Sequence, residues 1–155
     1  MDALTVTREN PQAPDLDLLF ERHAIACHAD TPPESIHMLP RAALDAPEIA
    51  FFVMRDGGGH ALGMGAIKTI GPGHGEIKSM HVLSEQRGRG LSRLLLDRLM
   101  AEARDAGLAR LSLETGVQPT FTAARGLYAA AGFAECPPFG DYREDPNSVF
   151  MSPAI

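Results

Sequence analysis

Residues 76–96 read Glu76-Ile-Lys-Ser-Met-His-Val-Leu-Ser-Glu-Gln-Arg-Gly-Arg-Gly-Leu-Ser-Arg-Leu-Leu-Leu96 and combine two kinds of periodicity. Apolar residues at Ile77, Met80 and Val82 indicate a strand in the first part. From Leu91 onward the apolar residues recur at helical spacing, which predicts an amphipathic helix. A glycine-rich turn joins the two parts, so the stretch is predicted to form a strand–turn–helix unit.

The turn of this unit, Arg87-Gly-Arg-Gly90, predicts a binding site for an anion. A glycine turn that enters a helix leaves backbone N–H groups unpaired at the positive end of the helix dipole, where phosphate binds. Arg87, Arg89 and Arg93 add positive charge, although the whole chain has a formal net charge of -6. This local excess of positive charge predicts a polyphosphate ligand.

Length and composition are those of a globular protein. The chain has 155 residues, of which 45% are hydrophobic and 22% charged, so we expect a single domain over residues 1–155. The negative net charge argues against general nucleic-acid binding, which needs a basic face. No apolar run approaches the roughly 20 residues that cross a bilayer, and the N-terminus lacks a secretory signal pattern. We therefore expect a cytoplasmic protein with no membrane or nucleic-acid partner.

The two cysteines are Cys27 and Cys136. They are far apart and match no metal-ligand or redox spacing. We expect both to be free, partly buried thiols, and we expect no metal site.

The residues before the unit predict strands that run antiparallel to its own strand. Two short Gly-rich turns, Asp56-Gly-Gly-Gly59 and Gly71-Pro-Gly-His-Gly75, separate three apolar runs, and parallel neighbours would need long crossovers. A three-stranded antiparallel meander is therefore predicted. Its strands are 49–55, 61–70 and 76–83, preceded by a strand at 4–8, a helix at 15–29 and a short helix at 35–44 interrupted by Pro40.

The residues after the turn predict a parallel crossover. A helix over 91–104 carries one apolar stripe, formed by Leu91, Leu94, Leu95, Leu99, Met100 and Ala103. The strand predicted at 108–114 should return parallel to the strand at 76–83. Thr120 or Thr122 is expected to cap a second helix that ends near Ala131. Strands at 133 and 148–151 follow, with a polar loop between them.

Three motifs together resemble the GNAT (Gcn5-related) N-acetyltransferase family. They are a strand ending in Met80-His-Val, then Arg87-Gly-Arg-Gly-Leu-Ser92 opening a Leu-rich helix, and later Gly126-Leu-Tyr-Ala-Ala-Ala-Gly-Phe133. The resemblance implies an α+β, three-layer fold: a mixed, mostly antiparallel twisted sheet flanked by helices. It also implies a central pair of parallel strands that splays apart to admit coenzyme A.

The resemblance implies acetyl-CoA as the acyl-donor cosubstrate. Backbone N–H groups of the turn would hold its pyrophosphate, with contributions from Arg87, Gly88, Arg89, Gly90, Leu91 and Ser92. The family turn usually closes on Gly or Ala where this chain has Ser92. The pantetheine arm would lie along Met80, His81, Val82 and Leu83, and Phe121 would line the same site where many members carry Asn. A tight turn without a ligand, solvated arginines and plain core packing of Met80 and Val82 are the alternative interpretations.

Three catalytic roles are expected. Tyr128 matches the family tyrosine that protonates the departing thiolate, and an N–H near Val82 would stabilise the thioester oxygen. Glu76 stands where some members carry the general base, although an exposed carboxylate at the start of a strand is the alternative interpretation. His81 or a water relay is a rival base, with the His81 side chain expected to point away from the cleft. His74 is expected to be solvated in a turn.

The acceptor would be a primary amine of a small molecule, or of a peptide or protein. Its binding walls are expected in the segment 31–44 with His37 and Arg41, in Glu114-Thr-Gly116, and in the loop 139–147 with Arg143. A homodimer is left open. The alternative function is a non-catalytic module that binds acyl-CoA as a sensed ligand, which would need neither Tyr128 nor Glu76.

Overall fold

The computed structural model describes residues 3–29, 31–36, 38–86 and 88–153, apart from the side chain of Thr120. The candidate residues Arg87 and His37 lie outside the described residues. Within these ranges the strands are β1 (Thr5–Arg8), β2 (Ile49–Arg55), β3 (Ala61–Gly71), β4 (His74–Val82), β5 (Arg110–Gly116), β6 (Ala134–Glu135) and β7 (Ser148–Ser152). The α-helices are α1 (Asp17–His28), α2 (Leu91–Asp105) and α3 (Thr122–Ala130).

The described strands form one mixed sheet in the order β1-β2-β3-β4-β5-β7-β6. Antiparallel pairing of β1 to β4 confirms the predicted meander. In the β2–β3 turn, one carboxylate oxygen of Asp56 accepts hydrogen bonds from the backbone N–H groups of Gly58 and His60, each at 2.9 Å. Gly59 has a φ of 83°, so the turn uses the glycine freedom that its sequence indicated.

The one parallel pair in the described sheet, β4 with β5, is short. Its register runs only from His74↔Arg110 to Glu76↔Ser112. Strand β4 continues to Val82 and β5 to Gly116 without further pairing between them. The two strands therefore diverge beyond Glu76, and this confirms the predicted splay of the parallel pair.

A β-bulge in β4 changes which side chains share a face. Ser79 has a φ of 55°, and the register with β3 slips between Ala66↔Lys78 and Met64↔His81. Ala66 and Met64 are two residues apart, so their partners Lys78 and His81 lie on the same face of the sheet. Plain alternation would have put His81 on the opposite face from Lys78.

Helices cover both faces of the sheet. Helices α2 and α3 pack on one face through a core that includes Leu95, Leu99 and Tyr128. Helix α1 packs on the other face, where Leu16 and Leu19 belong to a second core. The three layers and the mixed, mostly antiparallel sheet confirm the predicted fold class.

Three local predictions differ from the structure. Leu94 was assigned to the buried stripe of α2 but is 46% exposed, whereas Leu96 is fully buried, because α2 presents the row Leu91, Leu95, Leu96, Leu99 and Ala103 to the sheet. Thr122 does not cap α3: it is the first helical residue, Phe121 occupies the cap position, and the Thr122 hydroxyl accepts a hydrogen bond from Arg125. The segment predicted as a broken helix forms two 3-10 turns, Pro33–Ser35 and Arg41–Leu44.

Candidate active site

A cavity of about 600 Å³ opens where β4 and β5 diverge. One end is lined by the glycine turn and the start of α2, and the other by α1, the segment after it and Tyr142. Most of the predicted site residues line this cleft: Glu76, Met80, His81, Val82, Gly88, Gly90, Leu91, Ser92, Phe121 and Tyr128. The tertiary structure therefore brings together residues that are up to 52 positions apart in the sequence.

The glycine turn has the geometry of an anion site. Gly88 and Gly90 have φ values of 82° and 73°, and both are exposed at the edge of the cleft. Gly90 is the N-cap of α2 and offers no side chain to cap it, and no acidic residue lies in the first turn of the helix. The first N–H groups of α2 and the helix dipole therefore face the cleft, and these residues fit a bound pyrophosphate.

The arginine side chains of the turn contribute less directly to the anion site than its backbone N–H groups do. Arg89 donates to the side chain of Gln86 and does not line the described cleft. Arg93 lines the cleft and also donates to Asp97 at 2.9 Å. The local positive field at this end comes from the helix start and from Arg93 together.

Strand β4 offers its backbone to the space left by β5. The N–H of Leu83 donates to the carbonyl of Leu62 at 2.9 Å, so it points towards β3. Successive residues of a strand direct their N–H groups to alternate sides, so the N–H of Val82 points towards the side where β5 has diverged. Leu83, also predicted to contact the pantetheine arm, donates its N–H to β3 and packs its side chain in the α1-side core.

Tyr128 reaches the cleft from α3. Its side chain is 9% exposed, and its hydroxyl donates to the sulfur of Met80 at 3.9 Å. Burial, and secondarily the carboxylate of Glu114, raise the pKa of Tyr128 to about 12. The phenol is therefore protonated throughout the neutral range and can act as a proton donor.

Glu76 is buried, with 5% exposure, so the interpretation as an exposed carboxylate is wrong. One of its oxygens accepts hydrogen bonds from the Tyr142 hydroxyl at 2.5 Å and from the Lys78 ammonium at 3.2 Å. Lys78 also donates to the Tyr142 hydroxyl at 2.7 Å. Burial and Glu76 raise the pKa of Tyr142 above its usual range, so Tyr142 is a donor to the carboxylate.

The α1 wall of the cleft carries two histidines and a cysteine. The rings of His23 and His81 meet edge to face at 5.5 Å, and the Cys27 sulfur lies 3.8 Å from a ring nitrogen of His23. The prediction that His81 points away from the cleft is wrong, because the bulge at Ser79 turns its side chain to the face of the sheet that α1 covers, where it lines the cleft. Burial raises the pKa of Cys27 to about 11, with a smaller contribution from Glu114 and an opposing one from Lys78.

The titration of His23 predicts a pH dependence of stability. Burial, with a contribution from His81, lowers the pKa of His23 from 6.5 to about 4. Between pH 6.5 and 4, His23 is protonated in the unfolded chain but neutral in the folded chain. The free energy of unfolding is therefore highest above pH 6.5 and falls as the pH drops towards 4. We expect a loss of about 3 kcal/mol, at about 1.4 kcal/mol for each unit of pKa difference. Thermal unfolding of wild type and His23→Gln as a function of pH measures it.

The matched control for this prediction is His60→Gln, because the side chain of His60 is 79% exposed. The stability curve of His60→Gln should follow that of wild type, whereas the curve of His23→Gln should be flatter. Parallel curves for wild type and His23→Gln would show that His23 does not cause the loss.

Three predicted positions lie elsewhere. His74 is not solvated in a turn: it begins β4, its Nε2 lies 2.7 Å from the Ser112 hydroxyl, and burial lowers its pKa. Arg41 is not an acceptor contact, because it bonds to the carbonyl oxygens of residues 11 and 13 and to Asp17. Arg143 is exposed and does not line the described cleft.

The sequence analysis did not identify several residues at the end of the cleft near α1 and Tyr142, including Lys78 and Ser35. The sequence could have predicted Lys78, because Lys78 is two positions from Glu76 and residues at this spacing share a face of a regular strand. His23 and Cys27 are four residues apart within the predicted helix 15–29, and this spacing places them side by side. Nothing local indicated Ser35, whose partners are more than 100 positions away.

Neither a membrane-spanning helix nor a metal-binding cluster is found within the described residues. No helix there has the length and apolarity required to span a membrane. No group of three or more His, Cys, Asp or Glu side chains there is placed to hold a metal ion. Cys27 and Cys136 are free and partly buried, as predicted.

Comparison with known proteins agrees with the geometry of the cleft. Residues 15–133 match the acetyltransferase (GNAT) family. The chain is 44% identical over 134 residues to the uncharacterized N-acetyltransferase YsnE of Bacillus subtilis, covering 86% of this chain and 88% of that protein. It is 42% identical over 153 residues to a protein of Azospirillum brasilense named IAA acetyltransferase, covering 97% of each.

Solved structures show the same architecture. A Klebsiella pneumoniae protein assigned as an acyl-CoA N-acyltransferase superposes with a TM-score of 0.76 at 28% identity, covering 97% of each chain. The chain also superposes on the ribosomal-protein-S18-alanine N-acetyltransferase of Escherichia coli, with a TM-score of 0.73 at 22% identity. The match covers 99% of this chain and 94% of that one, and at this identity it is a likeness of fold. The chain therefore belongs to the GNAT family of acyltransferase enzymes, which in general transfer an acetyl group from acetyl-CoA.

Proposed function

We propose that this enzyme transfers the acetyl group of acetyl-CoA to a primary amine by direct attack in a ternary complex. The observation that carries the proposal is the position of Tyr128, a buried phenol with a pKa of about 12. Its hydroxyl contacts Met80 on the strand that borders the splay. A protonated donor there has a use in releasing a thiolate, whereas a module that only binds acyl-CoA needs none.

Acetyl-CoA would lie along the cleft, with its pyrophosphate at the start of α2 and its thioester towards the other end. The start of α2, from Gly88 to Ser92, would hold the pyrophosphate, and the open backbone edge of β4 from Met80 to Val82 would pair with the pantetheine arm. Phe121, half-buried at the start of α3, would pack against that arm. The donor supplies a thioester carbonyl, the electrophile of the reaction.

Three groups of the chain then act on the reacting atoms. Glu76, directly or through a water, accepts a proton from the ammonium form of the acceptor, whose pKa is about 10 for an alkyl amine. The N–H of Val82 donates to the thioester oxygen while negative charge develops on it. As the nitrogen–carbon bond forms and the carbon–sulfur bond breaks, Tyr128 gives its proton to the departing sulfur, and the nitrogen loses its second proton to water. Solvent then reprotonates Tyr128 and takes up the proton held by Glu76, so that one proton is released in each turnover.

A covalent route through the enzyme has little support. A cysteine nucleophile attacks as the thiolate, and the pKa of Cys27 is raised to about 11. The neighbouring His23, with a pKa of about 4, is too weak a base to activate it. Cys27 therefore stays a thiol at neutral pH, and the amine itself is the nucleophile in the proposal.

Steady-state kinetics with a panel of primary amines tests the proposal. Thiol release should depend on both substrates, with double-reciprocal lines that intersect as a ternary complex requires. Intact-mass spectrometry of enzyme incubated with acetyl-CoA alone should show no hydroxylamine-sensitive acetyl group. Parallel lines together with such a group would establish a covalent route instead.

The non-catalytic alternative makes a different forecast from the same experiment. It expects tight acetyl-CoA binding with no acetylated amine from any acceptor in the panel. The single-domain organisation, the cytoplasmic location and a homodimer remain predictions or open points from the sequence.

A further inference from the structure

The two oxygens of the Glu76 carboxylate have different surroundings. The Tyr142 hydroxyl at 2.5 Å and the Lys78 ammonium at 3.2 Å both donate to Oε2. Within the residues that the structure describes, Oε1 of Glu76 accepts no hydrogen bond. Glu76 lines the cleft, so Oε1 is the oxygen that remains to accept a proton from a molecule bound there.

The ring of Tyr142 is held by packing as well as by its hydroxyl. Its centroid lies 5.2 Å from that of Phe139 and 5.3 Å from that of Phe150. Phe139 and Phe150 also meet edge to face, with centroids 5.8 Å apart. Phe150 is 5% exposed and lies in β7, where it pairs in register with Glu114 of β5. An aromatic cluster attached to the sheet therefore sets the position of the phenol.

The Tyr142 hydroxyl also binds the neighbouring ammonium. It accepts a hydrogen bond from Lys78 at 2.7 Å, whereas the distance from Lys78 to the Glu76 carboxylate is 3.2 Å. A lysine ammonium is a compact charge on a flexible stem, whereas a tyrosine side chain has only two rotatable dihedrals and loses little entropy when it is packed. Tyr142 is therefore the rigid member of the three groups, and its hydroxyl binds the other two.

The phenol of Tyr142 is a fixed donor rather than a group that exchanges protons with the acceptor. Burial and the Glu76 carboxylate raise the pKa of Tyr142 above its usual range, so the hydroxyl keeps its proton at neutral pH. It donates that proton to Oε2 of Glu76. Its effect on the reaction would therefore pass through the carboxylate.

We propose that Tyr142 is a positioning residue, which holds Oε2 of Glu76 and thereby reserves Oε1 for the proton of the acceptor amine. This inference rests on the proposed acetyl transfer with Glu76 as the base, and it names the residue that orients that base. A carboxylate held in one orientation loses less freedom in the transition state. Removal of the hydroxyl should therefore slow the reaction of the amine without weakening the binding of acetyl-CoA.

Tyr142→Phe removes the hydroxyl and keeps a ring that can pack on Phe139 and Phe150. We expect kcat/KM for the most active alkyl amine of the panel to fall by about tenfold at pH 7, the effect of losing one hydrogen bond to a charged group. The Kd of acetyl-CoA should change by no more than about twofold, because the loss is confined to the acceptor step. A kcat/KM within about twofold of wild type would overturn the proposal.

A double-mutant cycle separates positioning from a general structural effect. In a Glu76→Gln background, Tyr142→Phe should lower kcat/KM by less than about twofold, because no base is left to orient. The matched control is Asn147→Ala in the same loop, whose side chain bonds to Ser35 and Gln118. Any defect of Asn147→Ala should be the same factor in both backgrounds. A tenfold effect of Tyr142→Phe in both backgrounds would assign it a structural role and overturn the proposal.

A second acceptor gives an answer even if the double variant does not fold. The 2,2-difluoro analogue of the same amine is less basic, so more of it is neutral at pH 7 and less of it needs a base. The defect of Tyr142→Phe should shrink from about tenfold with the parent amine to less than about threefold with the analogue. An undiminished defect with the analogue contradicts a role through the base.

The failures of the two proposals are distinguishable. If wild type acetylates no amine although acetyl-CoA binds, the acetyl-transfer proposal is wrong and this inference is overturned with it. If Glu76→Gln keeps activity within about threefold of wild type, Glu76 is not the base and Tyr142 has no base to orient. If Glu76→Gln is impaired but Tyr142→Phe is not, only the inference on Tyr142 is overturned.

Discussion

Tyr128→Phe should lower kcat by about 100-fold at neutral pH, because it removes the proton donor for the departing thiolate. The phenylalanine ring keeps the packing of Tyr128 against Phe133, whose ring centroid lies 5.8 Å away. Acetyl-CoA binding should therefore change by no more than about twofold, since the loss is confined to the transition state. Thiol-release kinetics and direct titration of acetyl-CoA measure the two quantities.

A second donor makes this result specific to proton transfer. A thiol with a low pKa leaves as the thiolate without a proton, so the defect of Tyr128→Phe should shrink to less than about tenfold with an acetyl thioester of an acidic thiol. An undiminished defect with that donor would mean that Tyr128 acts by positioning. Unchanged kcat with acetyl-CoA itself would remove Tyr128 from the mechanism.

Glu76→Gln should lower kcat/KM for the amine by about 100-fold at pH 7, because an amide cannot accept the proton of the ammonium. The amide oxygen can still accept the bonds from Tyr142 and Lys78, so the local geometry is retained. The defect should narrow as the pH approaches about 10, where alkyl amines lose their proton without help. A pH–rate profile of both enzymes measures this convergence.

The ion pair of Glu76 complicates this variant and supplies its control. The Lys78 side chain is 10% exposed, so removing its carboxylate partner is expected to cost about 2–3 kcal/mol of stability. Glu76→Gln combined with Lys78→Met also removes the ammonium that faces the Glu76 carboxylate, and it should restore the melting temperature without restoring activity. Activity within about threefold of wild type in Glu76→Gln would assign the base to His81 or a water relay instead.

The paired state of Glu76 also explains how one site uses a carboxylate and an ammonium together. The Tyr142 hydroxyl and the Lys78 ammonium hold one oxygen of Glu76 from the loop side. The Glu76 carboxylate is thereby fixed in orientation, and if it is the base that we propose, this preorganisation reduces the entropy lost in the transition state. Tyr142 comes from a loop 66 positions further along the chain, so this arrangement depends on the tertiary fold.

Most of the fold was predictable because its determinants are local. The bounds of β2 agree with the predicted strand 49–55, since an apolar run ended by Asp56 and three glycines defines both ends. The glycine turn before α2 was predictable for the same reason, because positive φ values at residues 88 and 90 favour glycine. The candidate residues of the turn and Tyr128 followed from a resemblance, and most of them line the cleft.

The amino-acid sequence by itself determined the strand–turn–helix unit, the meander before it and the family. These depend on short-range periodicity and on backbone preferences of single residues, which the chain carries wherever it folds. The tertiary structure alone decided the side on which His81 lies, the burial of Glu76 and the hydrogen bonds that join Ser35 to Asp145 and Asn147. The first depends on a one-residue bulge in β4, where Ser79 adopts a φ of 55° and the register with β3 shifts. The other two depend on contacts between residues more than 60 positions apart, which only the order and register of the sheet bring together.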